Sequence, residues 1–162
     1  MSYGFLHGTE VETGYGTRAI ERLVPGDRVL TLAGKLTRIA WVGHTLLAAR
    51  EVARVPETRP VQLNAGGLSE AAPMRNLVVA PTQGVVLCDG PGSADTRVVT
   101  AGRLTTGAKR VVVLHDLRFT QVMLEQDGFM LVSGVWCPSM TPTAQIDSLG
   151  YETQMAKMRL AG

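Results

Sequence analysis

The sequence VVAPTQGVVL, at residues 78–87, sets Ala80, Pro81, Thr82, Gln83 and Gly84 between two apolar runs rich in valine. Proline lacks the N–H that a strand donates to its neighbour, and glycine offers no side chain to pack. Such residues mark a bulge, a sheet edge or a place where another backbone comes close. We therefore expect a short strand on each side and a shaped site between them.

The same alternation of apolar runs with turn residues extends over most of the chain. The 18 glycines and 8 prolines separate runs of Val, Leu and Thr, a pattern typical of many short strands joined by turns. An irregular connection with a helical turn is expected at 43–58. The sequence predicts an all-β domain with strands at 9–13, 17–19, 28–32, 35–44, 61–63, 77–79, 84–88, 96–100, 110–114, 118–124 and 128–132.

Length and composition indicate one folded domain. The 162 residues are 45% hydrophobic and 19% charged, and no apolar run approaches the roughly 18 residues of a membrane span. The start, MSYGFLHGTEVE, has no basic region followed by an apolar one, so no signal peptide is expected. The 16 Lys and Arg are scattered among 14 Asp and Glu, which argues against nucleic acid. We expect a cytoplasmic protein or a component of a particle or complex.

Helical periodicity is clear only near the C-terminus. The sequence predicts a β domain at 1–140 and a C-terminal tail at 141–162. The tail is expected to be helical from about 148, with Asp147 or Ser148 as a suitable N-cap. Its apolar face either packs on the sheet or meets a protein partner. The residues that would meet a partner are Tyr151, Met155, Met158 and Leu160.

Residues 20–29 (IERLVPGDRV) and 101–111 (AGRLTTGAKRV) resemble each other. Each carries Arg-Leu, two spacer residues and a glycine before an extended run. We expect each to be a short helical turn whose leucine enters the core, ended by a glycine with positive φ. The repetition suits a domain of two related halves.

Six stretches carry a family resemblance through their order and spacing. They are residues 4–11 (GFLHGTEV), 19–31 (AIERLVPGDRVLT), 38–43 (RIAWVG), 59–68 (RPVQLNAGGL), 77–87, and 128–139 with Gly134 and Trp136. Together they resemble Hint (Hedgehog/intein-type) domains, most closely the stand-alone bacterial type. The resemblance implies a compact, all-β, pseudo-twofold fold.

The resemblance also implies self-cleavage at the N-terminus. In that family a Cys, or sometimes a Ser, attacks the preceding carbonyl, and a Thr-x-x-His motif activates the peptide bond. Gly4 stands at the nucleophile position here, Gln83 at the mid-chain His and Gln121 at a later His. Glycine cannot attack, and a glutamine amide exchanges no proton near neutral pH. We therefore expect no catalytic residue, and we expect no cofactor or metal. Only Met1, Ser2 and Tyr3 precede Gly4, so we also expect no released polypeptide.

Three functions remain open at this stage. The leading hypothesis is an inactive Hint-like module that serves as a structural or interaction subunit of a larger assembly. That assembly would be phage-like, a membrane complex or further copies of the chain. The second is residual autoprocessing or a thiol-dependent enzyme that uses Cys137, expected in a turn, with His115 or His7. The third is a peptide or small-molecule binding module in the vacated cleft, formed by Thr82, Gln83 and Gln121.

Overall fold

The structure, a computed structural model, describes residues 3–88 and 96–142 and confirms the all-β prediction. Its strands form an 11-stranded sheet and a separate 2-stranded sheet. Within these residues one α-helix of about a turn and a half, α1, spans Ala49–Arg54. The strands are β1 (Phe5–Leu6), β2 (Glu10–Thr13), β3 (Gly16–Ala19), β4 (Arg28–Leu30), β5 (Leu36–Leu47), β6 (Val61–Leu63), β7 (Leu77–Val79), β8 (Gly84–Cys88), β9 (Thr96–Thr100), β10 (Ala108–Arg110), β11 (Leu117–Leu124), β12 (Phe129–Val132) and β13 (Val135–Pro138).

The two-residue strand β1 lies in the interior of the large sheet. The sheet order is β10-β6-β7-β1-β11-β5-β4-β2-β12-β13, with β3 paired to β2. Phe5 faces Val79 of β7 on one side and Thr120 of β11 on the other. The N-terminal segment is therefore held between strands that are distant in sequence.

The residues 78–87 fold as the ends of two strands in different sheets. Strand β7 belongs to the large sheet and β8 pairs with β9 in the small one. The turn between them is closed by the Gln83 N–H, which donates to the Ala80 carbonyl at 3.0 Å. Pro81 thus lies outside both ladders. A Cβ on Gly84 would lie 2.8 Å from Cγ of Pro138, so this glycine is needed for close packing.

The repeated Arg-Leu-x-x-Gly pattern forms the predicted structure twice. The 3₁₀ helices Ile20–Arg22 and Ala101–Arg103 are followed by Leu23 and Leu104 with nearly equal backbone angles. Leu23 is buried and Leu104 packs against the same core. Gly26 and Gly107 have φ of 92° and 70°, which confirms the predicted left-handed conformation.

Strands β1 and β13 were not predicted, and two predicted segments differ from the structure. The expected strand at 110–114 is wrong, because β10 ends at Arg110. The Val111 N–H still donates to the Pro60 carbonyl at 2.8 Å, but the residues that follow it pair with no strand. Val112 and Leu114 are consequently 66% and 85% exposed. The connection expected at 43–58 is more regular than predicted, since β5 pairs with β11 as far as Leu47 and α1 follows.

The core is a single large cluster that joins the two sheets, with a smaller cluster under α1. The smaller one contains Leu47, Val52 and Phe119. Within the described part of the chain, no helix has the length and apolar character needed to cross a membrane. The predicted tail, with Tyr151, Met155, Met158 and Leu160, lies outside the described residues. The large cluster consists of Phe5, Val11, Ile20, Leu23, Val29, Ile39, Val61, Leu63, Leu77, Val79, Val85, Ala101, Val122, Leu124, Met130, Val132, Val135 and Cys137.

Candidate functional site

A cavity of about 180 Å³ lies where β1, β11, the 80–83 turn and the end of β13 meet. It brings together Gly4, Gln83 and Gln121, the three positions that the sequence placed at one site. Tyr3 and Thr141 also line it, so both ends of the described chain reach the same cavity. The lining residues are Tyr3, Gly4, Phe5, Thr82, Gln83, Gly84, Gln121, Val122, Pro138, Ser139, Met140 and Thr141.

Gly4 has no space for a side chain. Its φ is +101°, a conformation that L-residues rarely adopt. A Cβ at this position would meet the carbonyl oxygen of Thr120 and lie 2.9 Å from its carbonyl carbon. Backbone atoms form this obstacle, so a rotamer change cannot remove it. A cysteine or serine at this position would require β1 and β11 to move apart.

Hydrogen bonds hold the carbonyl groups on both sides of the Gly4 Cα. Nε2 of Gln121 donates to the carbonyl oxygen of Tyr3 at 2.8 Å. The N–H of Ala80 donates to the carbonyl oxygen of Gly4 at 2.9 Å. The bond that precedes Gly4 is therefore positioned in the cavity, with a neutral amide donor on its carbonyl.

Gln121 is 1% exposed and only one face of its amide is satisfied. Nε2 also donates to Oγ1 of Thr45 at 3.0 Å, whereas Oε1 has no hydrogen-bond partner. The amide orientation follows from the Tyr3 carbonyl, which can only accept. A buried acceptor without a donor is unfavourable by about 1–3 kcal/mol. Oε1 is thus an unused acceptor in the wall of the cavity.

Gln83, 8% exposed, closes the opposite wall. Its Nε2 donates to the carbonyl oxygens of Gly84 at 3.1 Å and of Pro138 at 3.3 Å. These bonds tie the 80–83 turn to the end of β13. The amide holds two backbone segments in place and, unlike an imidazole, cannot exchange a proton near neutral pH.

Cys137 lies in a strand and not in the predicted turn, because residues 135–138 pair with β12. The side chain is 0% exposed within the large core cluster. Its Sγ donates to the carbonyl oxygen of Val135 at 3.7 Å. Burial raises the pKa of this free thiol well above its usual range. His115, one of the two histidines proposed as its partner, is exposed on a loop. An inert structural thiol has these properties.

A cluster that the sequence did not predict surrounds His7. The His7 and His44 rings meet edge to face with centroids 5.5 Å apart, and His44 Nδ1 lies 2.9 Å from Oγ1 of Thr120. Glu21 accepts a hydrogen bond from the N–H of Gly8 at 2.8 Å. Desolvation by burial lowers the pKa of His7. Across residues 3–88 and 96–142, no three His, Cys, Asp or Glu side chains are arranged to hold a metal ion.

Comparisons with known proteins agree with this architecture. The family model described as Hint domain matches residues 3–144. The solution structure of a bacterial intein-like domain from Clostridium thermocellum has a TM-score of 0.62 at 14% identity, covering 86% of this chain and 100% of that one. The Msm DnaB1 intein splicing domain bound with zinc has a TM-score of 0.53 at 14% identity, covering 83% and 98%. Among curated proteins, none matches the chain significantly.

Proposed function

The chain belongs to the Hint domain family, and from this premise we propose that it is a catalytically inactive member that serves as a structural or interaction subunit of a larger assembly. One observation carries the proposal. Gly4, at the position of the family's nucleophile, has a positive φ and no space for a Cβ beside the Thr120 carbonyl. The site retains its shape and lacks the group that would attack.

Gln83 and Gln121, at the other two family positions in the cavity, hold the backbone in place, and their amides cannot replace a nucleophile. Acyl transfer from the Tyr3–Gly4 bond would require an attacking hydroxyl or thiol and a group that protonates the leaving amine. Gln121 donates a hydrogen bond to the Tyr3 carbonyl, which polarises it without breaking the bond. Gln83 uses its amide donors on Gly84 and Pro138. This arrangement favours a stable peptide bond over a reactive one.

The thiol-dependent alternative has little physical support. A nucleophilic cysteine needs thiolate character and access to substrate. Cys137 is fully buried, and burial raises its pKa. Within the described part of the chain, no charged group offsets this effect of burial.

The interaction role is supported by the exposed side chains of the loops. Leu114 and Met74 are 85% and 68% exposed, and Tyr15 at the β2–β3 hairpin tip is fully exposed. A strand-rich scaffold holds such loops in fixed positions, which is how many recognition surfaces are built. The partner is a second protein or another copy of this chain.

A reporter fusion tests the loss of activity. A folded reporter is joined before Met1, and the product is incubated with dithiothreitol or hydroxylamine while its intact mass is followed. We expect no mass loss from the unaltered chain, nor from Gly4→Cys, because the new Cβ has no space beside Thr120. Cleavage of the unaltered chain at the Tyr3–Gly4 bond would show that the domain is active.

Native mass measurement tests the subunit role. The endogenous protein, carrying a short affinity tag, is purified gently and measured by native mass spectrometry. We expect a discrete complex of fixed stoichiometry, heteromeric or homomeric. A protein recovered only as the 17.3 kDa chain would contradict the proposal.

A second function, binding of an amide ligand in the cavity, is favoured by the unpartnered Oε1 of Gln121. An N–H from a peptide or small amide would satisfy this acceptor. A cavity of about 180 Å³ is below the size of drug-like sites, so the ligand would be no larger than one or two peptide units. Titration with N-methylacetamide, followed by side-chain amide NMR, should shift the Gln121 signal. Gln83→Leu should weaken binding while the domain stays folded; unchanged binding would exclude this cavity.

A further inference from the structure

A second depression, which shares no lining residue with the Gly4 cavity, is lined by arginines. It lies between the β2–β3 hairpin tip and the adjoining ends of β4 and β5, and has a volume of about 510 Å³. Arg18, Arg28 and Arg38 line it together with a single acidic residue, Asp27. Three guanidinium groups thus face one carboxylate, so the depression carries a net positive charge.

The strand register forces two of these arginines together. Arg28 of β4 stands directly opposite Arg38 of β5. The Arg28 carbonyl accepts from Gly14 N–H at 3.4 Å, and the Arg38 carbonyl accepts from Glu125 N–H at 2.9 Å. Both carbonyls therefore point away from each other, so the two residues form a narrow, non-hydrogen-bonded pair, in which opposing side chains lie closest. Like charges directly opposite each other are destabilising.

In the part of the chain that the structure describes, no ion pair neutralises Arg28 or Arg38. Asp27 is already bonded to Arg18 at 3.4 Å and to the N–H of Val24 at 3.0 Å. Among the described residues, neither Arg28 nor Arg38 has an acidic partner. Arg28 and Arg38 repel each other across exposed positions of β4 and β5. An external anion that bridges their guanidinium groups would explain this arrangement.

We propose that this depression binds a carboxylate-rich segment of a protein partner, with Arg28 and Arg38 as its main contacts. The inference rests on the proposed subunit role and names the chemistry of the partner. Guanidinium groups bind carboxylates through two parallel hydrogen bonds. Tyr15 lies fully exposed at the rim. Tyrosine, like arginine, is enriched among the residues that contribute most to binding at protein interfaces.

A nucleic acid is less suited to this surface. Binding of a phosphate backbone needs a basic stripe that follows the strand. Here the 16 basic residues are offset by 14 acidic ones, and the three arginines form one local patch. A short acidic peptide matches its size and charge.

The test uses the full chain and a fluorescein-labelled hexaglutamate peptide, with hexaglutamine as the neutral control. We expect saturable binding of hexaglutamate that weakens with added salt. Arg28→Gln combined with Arg38→Gln should weaken it by about tenfold or more, the effect of losing one well-formed charged contact. Arg54→Gln, which removes an exposed arginine from α1, should leave it unchanged.

Four further measurements make the result decisive. The double lysine variant at 28 and 38 keeps the charge without the planar fork, so intermediate binding is expected. The Tm of the double glutamine variant should be no lower than that of the parent, because the substitution removes a repulsive pair. Equal binding by parent and double glutamine variant, no binding at all, or tighter binding of single-stranded DNA or inorganic phosphate would overturn the inference. An intact native complex in the same variant would show that the subunit role stands without it.

Discussion

Replacing Gly4 with alanine measures how firmly the structure excludes a side chain at the nucleophile position. The new Cβ would meet the Thr120 carbonyl and approach Cγ of Gln121 at 3.1 Å. Gly8 provides a matched control, since its φ of +92° is similar but nothing lies within 4 Å of its Cβ position. The two substitutions share the backbone strain and differ in the steric contact.

The expected magnitudes follow from these two contributions. An L-residue in a left-handed conformation costs about 1–2 kcal/mol, which is the whole effect expected for Gly8→Ala. Overpacking against fixed backbone adds about 1–3 kcal/mol, so Gly4→Ala should lose about 2–5 kcal/mol of unfolding free energy. For a chain of this size, that lowers Tm by roughly 4–20 °C.

Urea unfolding monitored by circular dichroism gives both free energies with one method. The m-values should agree between the variants, so that the midpoints can be compared directly. The steric reasoning fails if Gly4→Ala is no more destabilising than Gly8→Ala. In that case β1 and β11 separate easily, and a cysteine at position 4 would be accommodated.

Three other substitutions or treatments probe buried polar groups. Gln121→Glu should lose stability as pH rises above the unfolded glutamate pKa of about 4.3, since burial raises the pKa of the folded-state carboxyl. Urea unfolding measured across pH should show no such trend for the exposed control Gln126→Glu. Cys137, in a Cys88→Ala background, should remain unmodified by iodoacetamide until the protein unfolds; a native adduct, detected by mass, would contradict its burial. Burial lowers the pKa of His7 in the folded protein from its usual 6.5. Just below pH 6.5 the unfolded chain therefore binds more protons than the folded one, and the free energy of unfolding decreases as the pH is lowered. His7→Gln should reduce this loss of stability. The same dependence of unfolding free energy on pH in the parent and in His7→Gln would contradict the prediction.

Local signals in the sequence were sufficient for much of the fold. Strands β6, β7, β8 and β9 have the predicted bounds, because apolar runs bounded by turn residues depend on few distant contacts. Gly26 and Gly107 adopt positive φ as the repeated pattern indicated. The meeting of Gly4, Gln83 and Gln121 followed from the family resemblance, which contains long-range information that a single sequence lacks.

The remaining features depend on pairing between distant segments. Residues 111–114 have high β-propensity but no neighbouring strand, so propensity alone gave the wrong result. His7, Glu21 and His44 converge only after the sheet forms. Likewise, the Arg28–Arg38 pair is a product of register, and a one-residue slip would place these side chains on opposite faces.

The interior position of β1 determines when the cavity can exist during synthesis. This short strand precedes both of its partners in the chain, since β7 and β11 end at Val79 and Leu124. Phe5 and Leu6 must therefore wait for most of the domain to leave the ribosome before both neighbouring strands are available. Pairing over such separations slows folding, and until it is complete the N-terminal segment stays available to chaperones and proteases.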